Sequence, residues 1–136
     1  MFICLDIETT GLNNETDHII EFCAVKFNAK FEIIDKFQSF VQYKGAIPII
    51  IQHLTGINNS MTENAPTLEE LKPKILEICG ELPIVGHNIN FDVGFLQQKG
   101  INLKGTLLDT LTFAHIFLGK NLSFSLETLT RKFNQN

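Results

Sequence analysis

A short apolar run that ends in two alternating carboxylates constrains this chain more than any other feature. Residues 2–5 are apolar and predict a buried strand, and Asp6 and Glu8 follow with one residue between them. Because side chains two apart on a strand point to the same face, both carboxylates are directed to one point where the strand ends. Neighbouring like charges repel unless a positive group lies between them. The spacing indicates either two acids at a surface strand end or a site for a hard cation such as Mg²⁺.

The order of the segments along the chain predicts an α/β fold. Residues 18–30 are apolar on both faces, which is typical of a central strand, and residues 31–42 alternate. A bend between them predicts a hairpin, so the fold is expected to open with three strands that are antiparallel after the first. A short helix is then expected over 47–54 and a polar loop over 58–66, followed by a helix that Thr67 and Glu70 cap and that Pro73 kinks. After a strand over 82–86, a helix is expected to run from Asn88 or Asn90 to Gln98. The last two predicted helices cover 110–118, ending at Gly119, and 125–133.

Composition narrows the class of protein. A length of 136 residues suits one domain with a real core. The net charge of −4 argues against a broad basic surface that coats duplex nucleic acid, although metal ions can bring phosphate to an acidic site. Cys4, Cys23 and Cys79 lie in apolar runs, which predicts buried free thiols in a reducing compartment, the cytoplasm. With no signal peptide and no bilayer-length apolar stretch, we expect no membrane partner.

A second polar segment, residues 87–92, follows a predicted buried strand and opens a helix. Asp92 falls in the first turns of that helix, where a carboxylate is favoured by the helix dipole. Alone it would be an ordinary N-terminal acid, but with Asp6 and Glu8 it offers a third carboxylate at the edge of a sheet. Three such carboxylates are what a two-metal phosphoryl-transfer site needs. His87 is expected either to be structural at the strand end or to lie near a phosphate.

These segments together resemble the DEDD superfamily of 3′–5′ exonucleases, and in particular its DnaQ-like branch, which includes the proofreading subunit and domain of bacterial DNA polymerase III. The resemblance covers nearly the whole chain in the right order. The matching segments are Phe2-x-x-x-Asp6-x-Glu8-Thr9-Thr10-Gly11, Ile19-Ile20-Glu21, Leu54-Thr55-Gly56-Ile57, His87-Asn88-x-x-Phe91-Asp92 and Asp109-Thr110.

The resemblance implies a ribonuclease-H-like mixed sheet flanked by helices, and two Mg²⁺ or Mn²⁺ ions as cofactors. It implies removal of nucleotides from the 3′ end of single-stranded DNA, with RNA also possible, and a DNA polymerase or other replication protein as partner. Carried over by position, Asp6 would bridge both metals. Glu8 would ligate one and help to orient the attacking water, and Asp92 would join directly or through water.

The resemblance also implies a pocket for the terminal nucleotide. Thr9 and the Leu54-Thr55 segment would line it, with Leu54 against the base. His87 is kept as a further candidate for substrate contact.

The sequence departs from the family pattern at its C-terminal side. The family places a histidine base and a fourth acid beyond the helix over 125–133, and this chain ends at Asn136. We therefore expect one exonuclease-type domain over residues 1–136 that lacks its final helix. The uncovered core face should lower stability or become buried in another chain, for example by self-association. The alternative function is a catalytically incomplete module that binds a nucleic-acid end or a polymerase.

Overall fold

The computed structural model describes residues 1–118 and 123–134, which form a mixed sheet with helices. Its elements within these residues are β1 (Phe2–Thr9), β2 (Ile19–Phe27), β3 (Ile33–Phe40), α1 (Ile49–Thr55), α2 (Asn59–Thr62), α3 (Leu68–Cys79), β4 (Ile84–Gly86), α4 (Ile89–Gln98), β5 (Leu107–Asp109), α5 (Thr110–Phe117) and α6 (Leu126–Phe133). No helix in this part of the chain is both long and apolar enough to cross a bilayer. The helix end expected at Gly119 lies outside the described residues.

The first strand lies at the centre of the sheet. The strand order is β3-β2-β1-β4-β5, with β1, β2 and β3 antiparallel and with β4 and β5 parallel to β1. This arrangement confirms the predicted α/β class and the predicted antiparallel opening. It also places the end of β1 between a long antiparallel ribbon on one side and two short parallel strands on the other.

The two faces of β1 have opposite character. Ile3, Leu5 and Ile7 are buried on one face, in a core that includes residues of α3 and α4. Cys4 and Asp6 are exposed on the other face, and Glu8 is half-buried there. We call this second face, which carries Cys4, Asp6 and Glu8, the outer face. Because side chains of a strand alternate with a period of two, burial of Ile3, Leu5 and Ile7 places Asp6 and Glu8 on the outer face.

The same alternation corrects the expectation that all three cysteines are buried. Cys4 is exposed on the outer face, Cys23 is half-buried, and Cys79 is buried at the end of α3. All three are free thiols. An apolar run therefore does not bury every member, since every second side chain of β1 leaves the core.

Several element predictions need correction. In the segment predicted to alternate over 31–42, the apolar face is buried only in part because β3 is an edge strand: Ile33 is 67% exposed, whereas Phe37 packs against the core and Val41 is buried. Helix α3 continues through Pro73, the sixth of its twelve residues, which lacks the backbone N–H donor of an interior position; the kink expected there stays a prediction. The predicted polar loop over 58–66 contains the short helix α2, capped by Asn58. Strand β5 was not predicted.

Candidate active site

Two neighbouring strands bring three carboxylates to the same end of the outer face. In the register of β1 and β2, Glu8 pairs with Glu21, and Asp6 pairs with Cys23. Directly opposed residues of antiparallel strands point to the same face, with Cβ atoms roughly 4.5–5.5 Å apart. Asp6, Glu8 and Glu21 therefore form one acidic patch. Glu21 Oε1 also accepts a hydrogen bond of 2.6 Å from Gln38 Nε2 on β3.

Asp92 reaches the same strand from helix α4. Its side chain is only 4% exposed, and its Oδ1 accepts a hydrogen bond of 2.9 Å from the backbone N–H of Ile7. On this edge of β1, the N–H of Ile3 donates to Pro83 before β4 begins, and β4 ends at Gly86. Asp92 thus accepts the bond from the Ile7 N–H at a point of β1 where β4 has already ended. Ile7 lies between Asp6 and Glu8 in the strand, so the Asp92 carboxylate is close to both.

The turn between β4 and α4 is tight, and this places Asp92 close to β1. A β-carbon at Gly86 would lie 2.5 Å from Cδ1 and 3.1 Å from Cβ of Ile89, so a larger residue there would have to displace the first side chain of the helix. Asn88 adopts a left-handed conformation with φ of 61°. Asn88 occupies the N-cap position as expected, but its side chain makes no capping hydrogen bond. Its backbone N–H instead donates to Asp109 Oδ1 at 2.9 Å.

The carboxylates affect one another's protonation. Burial, with a smaller contribution from the charges of Asp6 and Glu8, raises the pKa of Asp92 to about 7, although its hydrogen bond from Ile7 acts in the opposite direction. Partial desolvation and then the charges of Asp6 and Glu21 raise the pKa of Glu8. Partial desolvation and then the charge of Glu21 raise the pKa of Asp6. Burial and the neighbouring acidic charges therefore both disfavour the ionised forms of Asp6, Glu8 and Asp92.

This charge suits a divalent cation. The ion pairs found between described residues join Lys74 to Glu77, Lys104 to Glu81 and Arg131 to Glu127, and none involves the acidic patch. Carboxylate oxygens are the ligands that Mg²⁺ prefers. Within residues 1–118 and 123–134, however, no three acidic, histidine or cysteine side chains are already arranged as a metal-binding group. The donor chemistry fits a metal ion, while the side chains are not assembled around one.

His87 is engaged within the protein. Its Nδ1 lies 3.0 Å from Oγ1 of Thr110, and its Nε2 donates to the carbonyl oxygen of Phe124 at 2.7 Å. These bonds tie the end of β4 to the start of α5 and to the segment before α6. His87 also lines a cavity of about 210 Å³ beside Asp6. These bonds are typical of a structural histidine at the strand end, and the role near a phosphate stays a prediction.

The other predicted substrate residues occupy the same end of the sheet. Helix α1 packs through Ile51 on the cluster that contains Ile20, which precedes Glu21. Leu54 on α1 is 76% exposed. Thr9 donates its hydroxyl to the carbonyl of Gly11 at 2.6 Å, and Thr55 donates its own to Ile51 at 2.8 Å. Of this group, only Leu54 presents a free apolar surface.

Two acids of this region were not predicted as site residues. Glu21 lies inside an apolar run, and only the pairing register of β2 with β1 reveals that it faces Glu8. Asp109 lies at the end of a strand that was not predicted, and its contact with Asn88 joins residues 21 positions apart. For both, the only signal in the sequence was a place within a segment that resembles the DnaQ-like branch.

Comparison with known proteins identifies the family. A model of the RNase T exonuclease family matches residues 3–134. The chain therefore belongs to this family of exonucleases, and the resemblance to DnaQ-like exonucleases is confirmed. Members are nucleases, that is, hydrolases of phosphodiester bonds, and they generally use divalent metal ions.

The curated relatives include DNA polymerases III of the PolC type. The chain is 42% identical over 136 residues to the protein from Caldanaerobacter subterraneus subsp. tengcongensis, with 97% of this chain and 10% of the relative covered. It is 38% identical over 141 residues to that of Clostridium perfringens, with 93% and 10% covered. The corresponding values for Bacillus subtilis are 34% over 139 residues, with 98% and 10% covered. The chain thus resembles DNA polymerase III and spans about a tenth of the length of these relatives.

Solved structures confirm the ribonuclease-H-like exonuclease fold. Exonuclease X in complex with 5′ overhanging duplex DNA matches with a TM-score of 0.77 at 21% identity, with 98% of this chain and 74% of that chain covered. E. coli Exonuclease I in complex with a 5cy-dA13 oligonucleotide matches with a TM-score of 0.80 at 17% identity, with 96% and 35% covered.

Proposed function

We propose that this chain is a metal-dependent 3′–5′ exonuclease domain of the proofreading or repair type, which acts on the 3′ end of DNA. The observation that supports this most directly is the meeting of Asp6, Glu8 and Asp92 at one end of β1, where burial and then neighbouring acidic charges raise the pKa of each. Membership in the exonuclease family supports the class of reaction. The 3′ polarity rests on the resemblance of the two acidic motifs.

The residues that would hold two Mg²⁺ or Mn²⁺ ions are Asp6, Glu8 and Asp92. When bound, such ions supply electrostatic stabilisation of the charge on the attacking and leaving oxygens of an in-line displacement. Asp6 is proposed to contact both ions, and Glu8 to contact one and to orient the attacking water. Asp92 is proposed to join the site with its orientation fixed through Ile7.

The terminal nucleotide is proposed to lie between the acidic patch and helix α1. Leu54 is exposed on that helix and would remove apolar surface from water by packing against the terminal base. Because Thr9 and Thr55 donate their hydroxyls to backbone carbonyls, they would shape the pocket. His87 would order the cavity beside Asp6 through its bonds to Thr110 and Phe124.

Two observations bear on the substrate and partner. The solved structures with this fold include complexes with duplex DNA and with an oligonucleotide, which supports DNA as the substrate. The PolC-type relatives support a DNA polymerase as the protein beside which the domain works. Discrimination against RNA would require contacts that sense the 2′-hydroxyl.

A catalytically incomplete module is the second candidate, and one observation favours it. A histidine that acts as general base on the attacking water needs a free ring nitrogen within hydrogen-bond reach of that water. Both ring nitrogens of His87, which lines the cavity beside Asp6, are engaged within the protein. In this reading the acidic patch binds metal and a nucleic-acid end without hydrolysis.

A nuclease assay with a single-stranded DNA labelled at its 5′ end separates these functions. With Mg²⁺ or Mn²⁺, we expect a ladder of labelled products that shorten from the 3′ end. Asp6→Asn should lower the rate by about a hundredfold or more, because it removes a charged metal ligand while its volume is kept. Asp35→Asn is the matched control, since Asp35 is exposed on β3, and it should retain the wild-type rate.

The pattern of products decides between the alternatives. Immediate release of the labelled nucleotide would show 5′ attack and contradict the proposed polarity. A folded wild type that binds Mn²⁺ in calorimetry but leaves the oligonucleotide intact would support the incomplete module. An RNA oligonucleotide of the same sequence, assayed in parallel, tests the preference for DNA.

A further inference from the structure

A hydrogen bond from β5 holds the turn at which the helix carrying Asp92 begins. We infer that Asp109 is a positioning residue for Asp92, because its carboxylate fixes the left-handed turn at Asn88. This inference rests on the proposed role of Asp92 in the exonuclease site. Asp109 is not proposed to contact metal or substrate, and it acts through the backbone of Asn88.

The turn at Asn88 is supported by a hydrogen bond from outside its own segment. Asn88 has φ of 61° and ψ of 44°, a left-handed conformation that most residues with a β-carbon disfavour and that asparagine tolerates better than most. Its side chain makes no capping bond to the first turn of α4. Its carbonyl oxygen accepts a hydrogen bond of 2.9 Å from the N–H of Phe91, within the same turn. Its backbone N–H donates to Asp109 Oδ1 at 2.9 Å, and this bond comes from another element of the fold.

Asp109 is itself held at the correct place. It pairs with Gly86 in the register of β4 and β5, so its backbone lies beside the end of the strand that leads into Asn88. The same Oδ1 also accepts a hydrogen bond of 2.9 Å from the N–H of Leu111, as the N-cap of α5. One carboxylate oxygen therefore joins the β4–α4 turn to the β5–α5 turn.

The position of this turn bears directly on Asp92. Asp92 lies four residues after Asn88 in the first turns of α4, and its Oδ1 must stay within hydrogen-bond distance of Ile7, now 2.9 Å. A helix transmits a displacement of its first turn to the residues that follow, since each is tied by backbone bonds to the preceding turn. Release of Asn88 should therefore move or loosen Asp92 relative to Asp6 and Glu8.

Two substitutions at Asp109 test this inference. Asp109→Ala removes the acceptor, whereas Asp109→Asn keeps an acceptor oxygen at the same place. Amide hydrogen exchange of Asn88 and Ile7 is measured without metal, and the nuclease rate is measured against Mg²⁺ concentration. In Asp109→Ala we expect exchange at both amides to become about tenfold faster and the Mg²⁺ concentration for half-maximal rate to rise about tenfold. In Asp109→Asn both quantities should stay within about twofold of the wild type.

A control separates positioning from a general loss of stability. Thr67→Ala also removes an N-cap acceptor, at the distant helix α3, and should leave the Mg²⁺ dependence and the exchange at Ile7 unchanged. Asp109→Ala with faster exchange at Asn88 but wild-type exchange at Ile7 and wild-type Mg²⁺ dependence would overturn the inference. If the wild type itself has no nuclease activity, the proposed function fails, and exchange at Ile7 alone then decides whether Asp109 positions Asp92.

Discussion

At the scale of single residues, local periodicity predicted part of the acidic patch and nonlocal pairing supplied the rest. The i, i+2 spacing was enough to place Asp6 and Glu8 on one face, and the strand-to-helix junction was enough to make Asp92 a candidate. Glu21 could not be predicted in the same way, because its proximity to Glu8 depends on the register between two strands. Local sequence therefore predicts only some of the acids that lie together at the end of the sheet, and the register between strands determines the others.

Asp92 combines a buried charge with a backbone hydrogen bond, and we predict that the charge alone is destabilising without metal. Asp92→Asn keeps an acceptor for the N–H of Ile7 and removes the carboxylate that burial and its neighbours disfavour. In metal-free protein at about pH 8, the free energy of unfolding should rise by about 1–2 kcal/mol. Urea unfolding in the presence of EDTA measures this change.

The same variant should lose its response to metal. Saturating Mg²⁺ should raise the unfolding free energy of the wild type, since an ion that binds only the folded state stabilises it. The gain should be much smaller in Asp92→Asn, with Asp35→Asn again as the exposed control. A variant less stable than the metal-free wild type would show that the Asp92 charge is favourable where it lies.

At the scale of elements, the long segments and the short strand β4 were predicted, whereas β5 and α2 were not. The capping pair Thr67 and Glu70 marked the start of α3 correctly. Strand β5 has three residues and α2 has four, too few for a period of two or of 3.6 to be recognised. Both owe their structure to neighbours, β5 to its pairing with β4 and α2 to the Asn58 cap.

The capping box of α3 predicts a pH-dependent contribution to stability. Glu70 Oε2 accepts hydrogen bonds from the backbone N–H of Thr67 at 2.8 Å and from its hydroxyl at 2.9 Å. These bonds lower the pKa of Glu70 from its ordinary value of 4.5. The folded state therefore favours the ionised form, so the contribution is present above about pH 4.5 and is lost as the pH falls through the lowered value.

Glu70→Gln isolates this effect, because glutamine keeps an acceptor oxygen but does not titrate. The difference in unfolding free energy between wild type and variant should shrink between about pH 6 and about pH 3, measured by urea unfolding. Glu69→Gln removes an acid of the same turn, leaves both Thr67 bonds in place and serves as control. A difference that stays constant over this range would contradict the prediction.

At the scale of the whole molecule, the two sides of the sheet are covered unequally. Helices α3 and α4 bury the face that carries Ile3, Leu5 and Ile7.

On α5, the side chains of Phe113, Ile116 and Phe117 recur at helical spacing and are 44%, 65% and 77% exposed. On α6, Leu126 and Phe133 are 57% and 59% exposed. A contiguous apolar stripe of this kind marks a surface that associates.

We predict that the α5 stripe drives self-association of this chain. Replacing Ile116 and Phe117 together with serine should shift sedimentation velocity profiles towards the monomer, because both side chains would leave apolar surface otherwise buried between copies. The melting temperature should change little, since neither residue is buried in the single chain. The same double change at Ile49 and Ile50, exposed on α1, is the matched control and should leave association unchanged. A wild type that sediments as a monodisperse monomer and melts at high temperature would contradict this prediction. The exposed apolar stripe would then neither cause association nor lower the stability of the single chain.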